Sequence, residues 1–131
     1  MADQDDRIQL AGAEAVLRRR TNDGWLRAGV TLVDPERISI DTTVRLGKDV
    51  ALFPGTLLQG ETVIGDRAEI GPNTRLVDCV VGADTRLEQV VGRDAEVGDG
   101  AVVGPFAVLE PGSQIAPGAR TGSFYTAVAD D

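Results

Sequence analysis

The sequence of 131 residues contains no histidine, a single cysteine and only five aromatic residues, which are three Phe, one Trp and one Tyr. Without histidine, the chain cannot supply a histidine general base or a histidine-ligated metal site. A lone Cys79 excludes an internal disulfide, and nothing suggests an oxidising compartment. The scarcity of aromatic residues means that small aliphatic side chains must fill the core.

Positive charge and long apolar segments are also scarce. The chain has 13 Lys and Arg against 21 Asp and Glu, which gives a formal net charge of -8. This charge repels phosphate backbones and anionic lipids, so we predict neither a nucleic-acid nor a membrane partner. No apolar run is long enough for a membrane span, and the first residues lack the pattern of a secretory signal. The sequence therefore predicts a soluble, cytoplasmic protein.

A six-residue repeat is the strongest pattern that is present. Of the 15 segments between residues 40 and 126, 14 begin with Ile, Leu or Val, and Thr121 is the exception. The spacing is six except for shortened steps at 76 to 80 and 87 to 90. The aliphatic residues predicted to point inward are Ile40, Leu46, Leu52, Leu58, Ile64, Ile70, Leu76, Val81, Leu87, Val91, Val97, Val103, Leu109 and Ile115.

Other columns follow the same period. Gly is the second residue of eight segments, and a small or β-branched residue occurs four positions after the first residue, from Val44 through Val80 to Ala119, until Tyr125 breaks the column. Three positions after it come residues that tolerate a left-handed backbone. These residues are Asp49, Gly55, Asn73, Asp84, Asp94, Gly100, Gly112 and Gly118.

A fixed six-residue unit fits neither an α-helix nor ordinary strands. It is typical of one short strand followed by one corner, and three such units close a triangular coil. The pattern therefore predicts an all-β solenoid, a parallel β-helix of about five coils. The period does not determine the handedness, and general chirality rules favour right-handed crossovers.

The first part of the chain lacks this period and is rich in helix formers. We predict an N-terminal linker or capping helix over residues 1–30, a β-helix over residues 31–126 and a tail over residues 127–131. Gly24 is expected to bend or interrupt the helix, and Gly29 to end it. The residues expected to cover the open N-terminal end of the solenoid are Trp25, Leu26 and Val30, with Asp34-Pro35 as the joint.

Three segments carry a resemblance to a known family. They are Asp6-Arg7-Ile8-Gln9-Leu10-Ala11, the joint Gly29-Val30-Thr31-Leu32-Val33-Asp34-Pro35, and Val103-Gly104-Pro105-Phe106-Ala107-Val108-Leu109 with Pro111-Gly112 after it. They resemble the bifunctional N-acetylglucosamine-1-phosphate uridylyltransferase and glucosamine-1-phosphate acetyltransferase, from about residue 4 to residue 124. The joint is fairly specific for that family, whereas the hexads alone are not.

The resemblance implies a left-handed β-helix that forms a homotrimer in a cytoplasmic enzyme of UDP-N-acetylglucosamine and peptidoglycan biosynthesis. The substrates of that family are sugar phosphates, UTP and acetyl-CoA, and Mg²⁺ is required. The present chain would correspond to the linker helix and the N-terminal part of the β-helix.

The family's chemistry requires residues that this chain lacks. The resemblance implies a His general base, but the sequence has none. Glu110 stands where the family has a phosphate-binding Arg, and Val128 stands at a Lys position. The remaining sugar and acetyl-CoA contacts would lie beyond Asp131, and the nucleotide loop before residue 1. We therefore predict no catalytic, cofactor-binding or metal-binding residue, and neither Mg²⁺ nor acetyl-CoA bound, in this chain.

The remaining candidate residues have ordinary structural explanations. Asp5 occupies the position of a metal-binding Asn in the family, but an acidic helix start explains it. Cys79 is interpreted as a packing residue, because no His is available to activate its thiol. Outward-pointing arginines are interpreted as solvated charge rather than a substrate patch. These arginines are Arg45, Arg67, Arg75, Arg86, Arg93 and Arg120.

Three functional hypotheses follow. The first is a scaffold from a UDP-N-acetylglucosamine-forming enzyme, which trimerises, positions catalytic parts found elsewhere and is inactive alone. The second is a stand-alone, non-catalytic oligomerisation or binding module. The third is the β-helical tail of another sugar nucleotidyltransferase, which the joint at Asp34-Pro35 makes less favoured.

Overall fold

The computed structural model describes the backbone of residues 2–130 and the side chains of residues 6–130. It contains one N-terminal helix and a parallel β-solenoid of about five turns that matches a left-handed β-helix, so the predicted fold is confirmed. The elements are α1 (Ala2–Arg27), a 3-10 turn (Pro35–Arg37), and the strands β1 (Thr31–Leu32), β2 (Ile38–Ile40), β3 (Arg45–Leu46), β4 (Ala51–Leu52), β5 (Thr56–Gln59), β6 (Val63–Ile64), β7 (Glu69–Ile70), β8 (Thr74–Val77), β9 (Val80–Val81), β10 (Arg86–Leu87), β11 (Val90–Arg93), β12 (Glu96–Val97), β13 (Val102–Val103), β14 (Ala107–Leu109), β15 (Gln114–Ile115) and β16 (Tyr125–Ala127).

The strands form three parallel sheets, one for each face of a triangular prism. Face A has the order β1-β4-β7-β10-β13, face B the order β2-β5-β8-β11-β14-β16, and face C the order β3-β6-β9-β12-β15. Each of the strands β1 to β12 pairs with the strand three places later in the chain, because one coil contains three strands. In the last coil β14 pairs with β16, because the face A segment between β15 and β16 makes only an isolated bridge, from Arg120 to Val102. Consecutive strands therefore lie on different faces, and the chain winds around a single core.

The core consists of the aliphatic columns that the hexads predict. Leu52, Leu58, Ile70 and Leu76 have no measurable exposure, and most of the other predicted inward positions are buried. Leu46 is only half-buried, near the N-terminal end of the stack. Fully burying one such side chain stabilises a fold by about 1.5–3 kcal/mol before ordering costs are subtracted. The repetition of this contribution is what stabilises a solenoid without a large aromatic core.

The prediction was wrong at Val91, which is 44% exposed, while Val90 is fully buried. Gly92 takes the inward position instead and pairs with Leu76 and Leu109 on the two neighbouring coils. Its missing side chain leaves the space that Leu76 and Leu109 fill, since an added Cβ would lie 3.1 Å from the Leu76 side chain. A one-residue slip moves a side chain to the other face of a strand, which explains the error.

The same slip displaces Val80 from the column of small residues. Val80 is 50% exposed, and Cys79 occupies the buried position beside Thr62. Shortened coils explain why both valines are exposed. Leu46 pairs with Ile64 18 residues later, whereas Val81 pairs with Val97 only 16 residues later. The segments 76–80, 87–91 and 92–96 have thus each lost one corner residue.

The corners use the left-handed backbone that the sequence predicts. All eight residues proposed for these positions have positive φ, from 45° at Asp94 to 84° at Gly55. The structure adds less expected residues, such as Arg67 (φ 62°) and Phe106 (φ 61°). A triangular coil must turn sharply at three corners, and a residue with this backbone conformation makes most of these turns, although the corner over residues 41–44 contains none.

The glycine column marks a corner where successive coils touch. An added Cβ at Gly82 would lie 2.7 Å from the backbone nitrogen of Asp99 on the next coil. The Asp99 carboxylate accepts a hydrogen bond from the Ala83 N–H at 2.8 Å, and Asp66 accepts one from Lys48 in the same way. Glycine is needed at this corner because the carboxylate-bearing turn above it leaves no room for a side chain.

Helix α1 ends in a Schellman motif. The Gly29 N–H donates to the Leu26 carbonyl at 3.2 Å, and the Val30 N–H donates to the Trp25 carbonyl at 3.0 Å. Gly29 (φ 97°) ends the helix as predicted, but α1 continues through Gly24, so the predicted interruption was wrong. Val30 is buried and Trp25 packs on the core, whereas Leu26 is 42% exposed and does not cover the solenoid end.

Asn22 fastens the helix to the first coil and was not identified from the sequence. Its side chain is 2% exposed, and its Nδ2 donates to the carbonyls of Pro35 at 2.9 Å and Ile38 at 3.0 Å. Both carbonyls belong to the joint between β1 and β2. The amide therefore gives the Ile38 carbonyl a donor and gives the Pro35 carbonyl a second one beside the Ile38 N–H.

We expect Asn22→Ala to lower the free energy of unfolding by about 1–2 kcal/mol, measured by urea denaturation. The loss arises because the buried Ile38 carbonyl loses its side-chain donor and the Pro35 carbonyl keeps only the Ile38 N–H, and the better helix propensity of Ala offsets it only in part. Gln9→Ala on the exposed part of α1 is the control and should stay within about 0.5 kcal/mol of the parent. An Asn22→Ala protein as stable as this control would show that the amide does not fasten the helix.

Candidate functional site

Glu110 and Val128, which stand where the resembled family has Arg and Lys, lie side by side. Leu109 pairs with Ala127 across β14 and β16, and the Glu110 N–H donates to the Ala127 carbonyl at 2.9 Å. Glu110 and Val128 therefore leave face B at the same edge, on adjacent coils. Arg93 precedes them in the same column, because Gly92 pairs with Leu109. We call Arg93, Glu110 and Val128 the face B edge column.

The chemistry of this edge column does not favour an anionic ligand. All three side chains are exposed, with Val128 at 63%. Among the side chains of residues 6–130, neither Arg93 nor Glu110 takes part in an ion pair. One cation, one carboxylate and one apolar group then cancel in charge, so the edge has no net positive charge to attract a phosphate.

The six outward arginines do not form one patch. They lie on all three faces and at a corner of the prism, and all are exposed. Arg86 pairs with Glu69 at 2.9 Å on face A, and Arg75 donates to the Gln59 side chain at 2.7 Å on face B. This distribution supports the interpretation of these arginines as solvated charge.

The best-formed ion pair joins Arg67 and Asp84 at the corner between faces C and A. Arg67 Nε lies 2.7 Å from Asp84 Oδ1, and a second hydrogen bond of 3.1 Å joins Nη2 to Oδ2. Hydrogen bonding and the attraction of Arg67 lower the pKa of the Asp84 carboxyl, and the same partner raises the pKa of Arg67. Both side chains are more than half exposed, so this pair contributes little to stability.

Cys79 is fully buried beneath face B and has the packing role that the sequence predicts. Its Sγ donates to the Val77 carbonyl at 3.4 Å, and an added Cβ at Gly92 would lie 3.3 Å from it. Burial raises the pKa of the thiol above its ordinary value. This effect stabilises the fold below the ordinary thiol pKa and is lost as the pH rises through the raised value.

We expect Cys79 to resist Ellman's reagent in the native protein at neutral pH and to react fully in denaturant, because its thiol is both buried and protonated. The matched control is Val80→Cys, which places a second thiol on the adjacent, half-exposed residue. In that folded protein, the Val80→Cys thiol should react rapidly with the reagent and the Cys79 thiol should not react. Rapid modification of Cys79 in the folded parent chain would contradict this assignment.

A stacked aromatic pair is a surface feature that the sequence did not reveal. The rings of Phe106 and Phe124 lie 5.3 Å apart at an angle of 15°, on adjacent coils at the corner between faces A and B. Both residues have positive φ, and they are 51% and 82% exposed. Their separation by one 18-residue coil is the signal that could have identified the pair, because equivalent positions stack.

Among the described side chains, no group of three or more Asp, Glu, Cys or His residues could hold a metal ion. The Asp5 side chain, the candidate counterpart of a metal-binding Asn, lies outside the described residues. No helix in the described part of the chain is long and apolar enough to cross a membrane.

Comparison with known proteins supports the family resemblance. No protein-family model matches the sequence. The chain is 48% identical over 99 residues to the bifunctional protein GlmU of Corynebacterium efficiens, covering 76% of this chain and 20% of that protein. It is 41% identical over 95 residues to GlmU of Halalkalibacterium halodurans, covering 72% and 21%. The chain thus spans about a fifth of the length of the curated relatives it matches.

Solved structures agree with the solenoid. GDP-perosamine N-acetyltransferase of Caulobacter crescentus, in complex with CoA and GDP-perosamine, has a TM-score of 0.72 and 25% identity over 89% of this chain and 58% of that one. The acetyltransferase domain of PglB from Neisseria gonorrhoeae, at 14% identity, shares the fold with the same TM-score over 89% and 60%. The sequence identities show that the chain belongs to the bifunctional GlmU family, as a part of about one fifth of its length, and the solved structures agree with its left-handed β-helix.

Proposed function

We propose that this chain serves as a trimerisation and positioning scaffold in the formation of UDP-N-acetylglucosamine and is inactive alone. The family relationship supports the biosynthetic assignment, and the composition of the edge column supports the inactivity. In the family, acetyl transfer to glucosamine-1-phosphate needs a His base and cations for the sugar phosphate. Here histidine is absent and the two cationic positions hold Glu110 and Val128.

The geometry of this substitution is the observation that carries the proposal. Glu110 and Val128 are joined through the hydrogen bond to Ala127, so the structure brings both altered positions to one place. A carboxylate there repels a sugar phosphate, and a valine offers it no hydrogen bond. The described residues also offer no ligand set for Mg²⁺. We therefore infer that this chain does not hold Mg²⁺, UTP or acetyl-CoA by itself, and we place its role in the cytoplasm.

The same observation favours a second candidate, a stand-alone oligomerisation or binding module. Glu110 and Val128 provide no cation for a sugar phosphate. They do not disturb the coils, because both side chains are exposed. A module that never bound a sugar phosphate would tolerate these residues. A reading frame that resumes hexads with His and Lys after Asp131 would favour the enzyme scaffold, and a stop there would favour the module.

We expect the purified chain to release no CoA above background from acetyl-CoA and glucosamine-1-phosphate, and to form no UDP-N-acetylglucosamine from UTP and N-acetylglucosamine-1-phosphate. The physical reason is the absence of a general base and of cations at the face B edge column. The measurements are CoA release and product chromatography. The GlmU protein of Corynebacterium efficiens serves as the positive control, and turnover by the present chain in either assay would refute the proposed inactivity.

Face B is the surface that best suits self-association. Its central outward positions carry a single charge, at Arg75, and three apolar residues that are 37–44% exposed. These apolar residues are Leu57, Val91 and Val108. Face A, in contrast, has three charged residues, Glu69, Arg86 and Arg120, along the equivalent line. Six strands about 4.8 Å apart make face B roughly 25 Å high. The area that this face can bury is small for a stable interface.

We expect light scattering to show a trimer that dissociates on dilution, because the face is flat and apolar but small. Val108→Arg should shift the equilibrium toward monomer by placing a desolvated charge within the interface. Val80→Arg on face C, a residue of similar exposure, should not. A strict monomer over the whole micromolar range would contradict the trimer, and equal effects of the two variants would contradict the choice of face.

A further inference from the structure

Helix α1 is long, but only its last turns are held by the solenoid. Its 26 residues extend about 39 Å, and every described position from 6 to 14 is exposed. The residues that are at least partly buried begin at Ala15 and lie toward the first coil, namely Ala15, Arg18, Thr21, Asn22, Asp23 and Trp25. Most helices in proteins owe their stability to packing along a face, and residues 6–14 of α1 bury no such face in the part of the chain that the structure describes.

A second stripe on α1 is exposed and has heptad spacing. Asp6, Leu10, Ala13, Leu17, Arg20 and Gly24 follow one another at intervals of four, three, four, three and four residues. Leu10 and Leu17 are each 60% exposed. We call the part from Asp6 to Arg20 the α1 seam. A seam of this spacing is what a second helix packs against in a two-helix coiled coil.

The order of charges along the helix decides the orientation of such a partner. Asp6 precedes the apolar part of the seam, and Arg18, Arg19 and Arg20 follow it. A parallel copy would bring like charges together, Asp6 against Asp6 and Arg20 against Arg20. An antiparallel copy brings the acidic end against the basic end at both ends of the pair, and it also aligns the helix dipoles favourably.

We propose that α1 pairs antiparallel with α1 of a second copy of this chain through the α1 seam. Leu10 then lies opposite Ala13 of the second copy, where a small side chain allows close approach. Asp6 lies opposite Leu17 and within one turn of Arg20 of the second copy. Each contact occurs twice because the pair has twofold symmetry.

The surroundings of Leu17 fit this arrangement. A groove of about 600 Å³ lies beside it, between α1 and the first coil, and its other walls include Ile40, Thr42 and Thr43. The acidic end of the second helix would enter this groove and pass beside Arg18. The pairing uses a surface other than face B, so it joins solenoids in even numbers whether or not they also form trimers.

The first test is Leu17→Glu, measured by sedimentation velocity and native mass spectrometry. We expect the dissociation constant of the pair to rise at least tenfold, while circular dichroism shows the parent's helix and strand content at the concentrations where the parent is dissociated. Ile8→Glu is the matched control, because Ile8 is 71% exposed on the same helix but points away from the seam. Equal effects of the two substitutions, or no twofold association of the parent chain, would overturn the proposal.

Cysteine cross-linking tests the orientation, and buried Cys79 does not interfere. In an antiparallel pair, Leu10→Cys cross-links to Ala13→Cys, and Asp6→Cys cross-links to Leu17→Cys, when the two proteins of each pair are mixed. Asp6→Cys alone does not, because its counterpart lies about 16 Å away along the helix, beyond disulfide reach. Efficient self-cross-linking of Asp6→Cys would indicate a parallel pair and overturn the proposal.

These tests separate the helix pair from the proposed trimer. Leu17→Glu removes the twofold association and leaves a threefold one intact, whereas Val108→Arg does the reverse. A charge exchange gives an additional check, because Asp6→Arg alone should weaken the pair and Asp6→Arg with Arg20→Asp should restore it. Failure of this restoration, with both variants folded, would count against the electrostatic basis of the orientation.

Discussion

The whole fold depends on parallel pairing between one coil and the next, in a register that keeps the same side-chain column inside. The backbone hydrogen bonds of each strand are made almost entirely to the coils above and below, and local contacts within a coil are few. A strand of two residues, such as Arg86–Leu87, has no stability alone. It is held because Leu87 stacks between Ile70 and Val103 and because both of its edges are paired.

This constraint explains the tolerance and the limits of the repeat. Three segments in the middle of the solenoid lack one residue, yet the inward columns continue through them. The loss is absorbed at the corners, where Asp78, Gln89 and Asp94 take positive φ one position earlier than in a full hexad. The core remains filled there, because Cys79 and the neighbouring leucines occupy the space around Gly92. Corner residues can therefore be lost where inward residues cannot.

The pairing between successive coils also determines how far the sequence could predict the structure. Periodicity predicted the solenoid, the inward residues of full hexads such as Leu58 and Ile70, and the eight left-handed corner residues, because each of these depends on one residue type at one spacing. Handedness came only from the family resemblance. Val90 and Val91 are chemically equivalent, so composition could not decide between them, and the side of the strand followed only from pairing with the neighbouring coils.

Side-chain contacts between distant segments were the least predictable. Asn22 is an ordinary helix residue in the sequence, and its importance depends on carbonyls of Pro35 and Ile38, which the joint brings to it. Likewise, Glu110 and Val128 are 18 positions apart, and only the one-coil repeat places them together. A repeat of known length thus predicts neighbours along a column, but it cannot predict what a non-repeating element such as α1 will contact.

The edge column shows that the fold leaves the chemistry of its outward positions free to vary. Its outward side chains contribute almost nothing to the core, so the solenoid imposes no choice between Arg, Glu and Val at those positions. Inward positions are restrained by packing, and corner positions by backbone conformation. The outward positions at the ends of face B strands are restrained only by what they bind. A carboxylate and a valine there, beside intact coils, cost the solenoid nothing and are compatible with the proposed role in assembly and positioning.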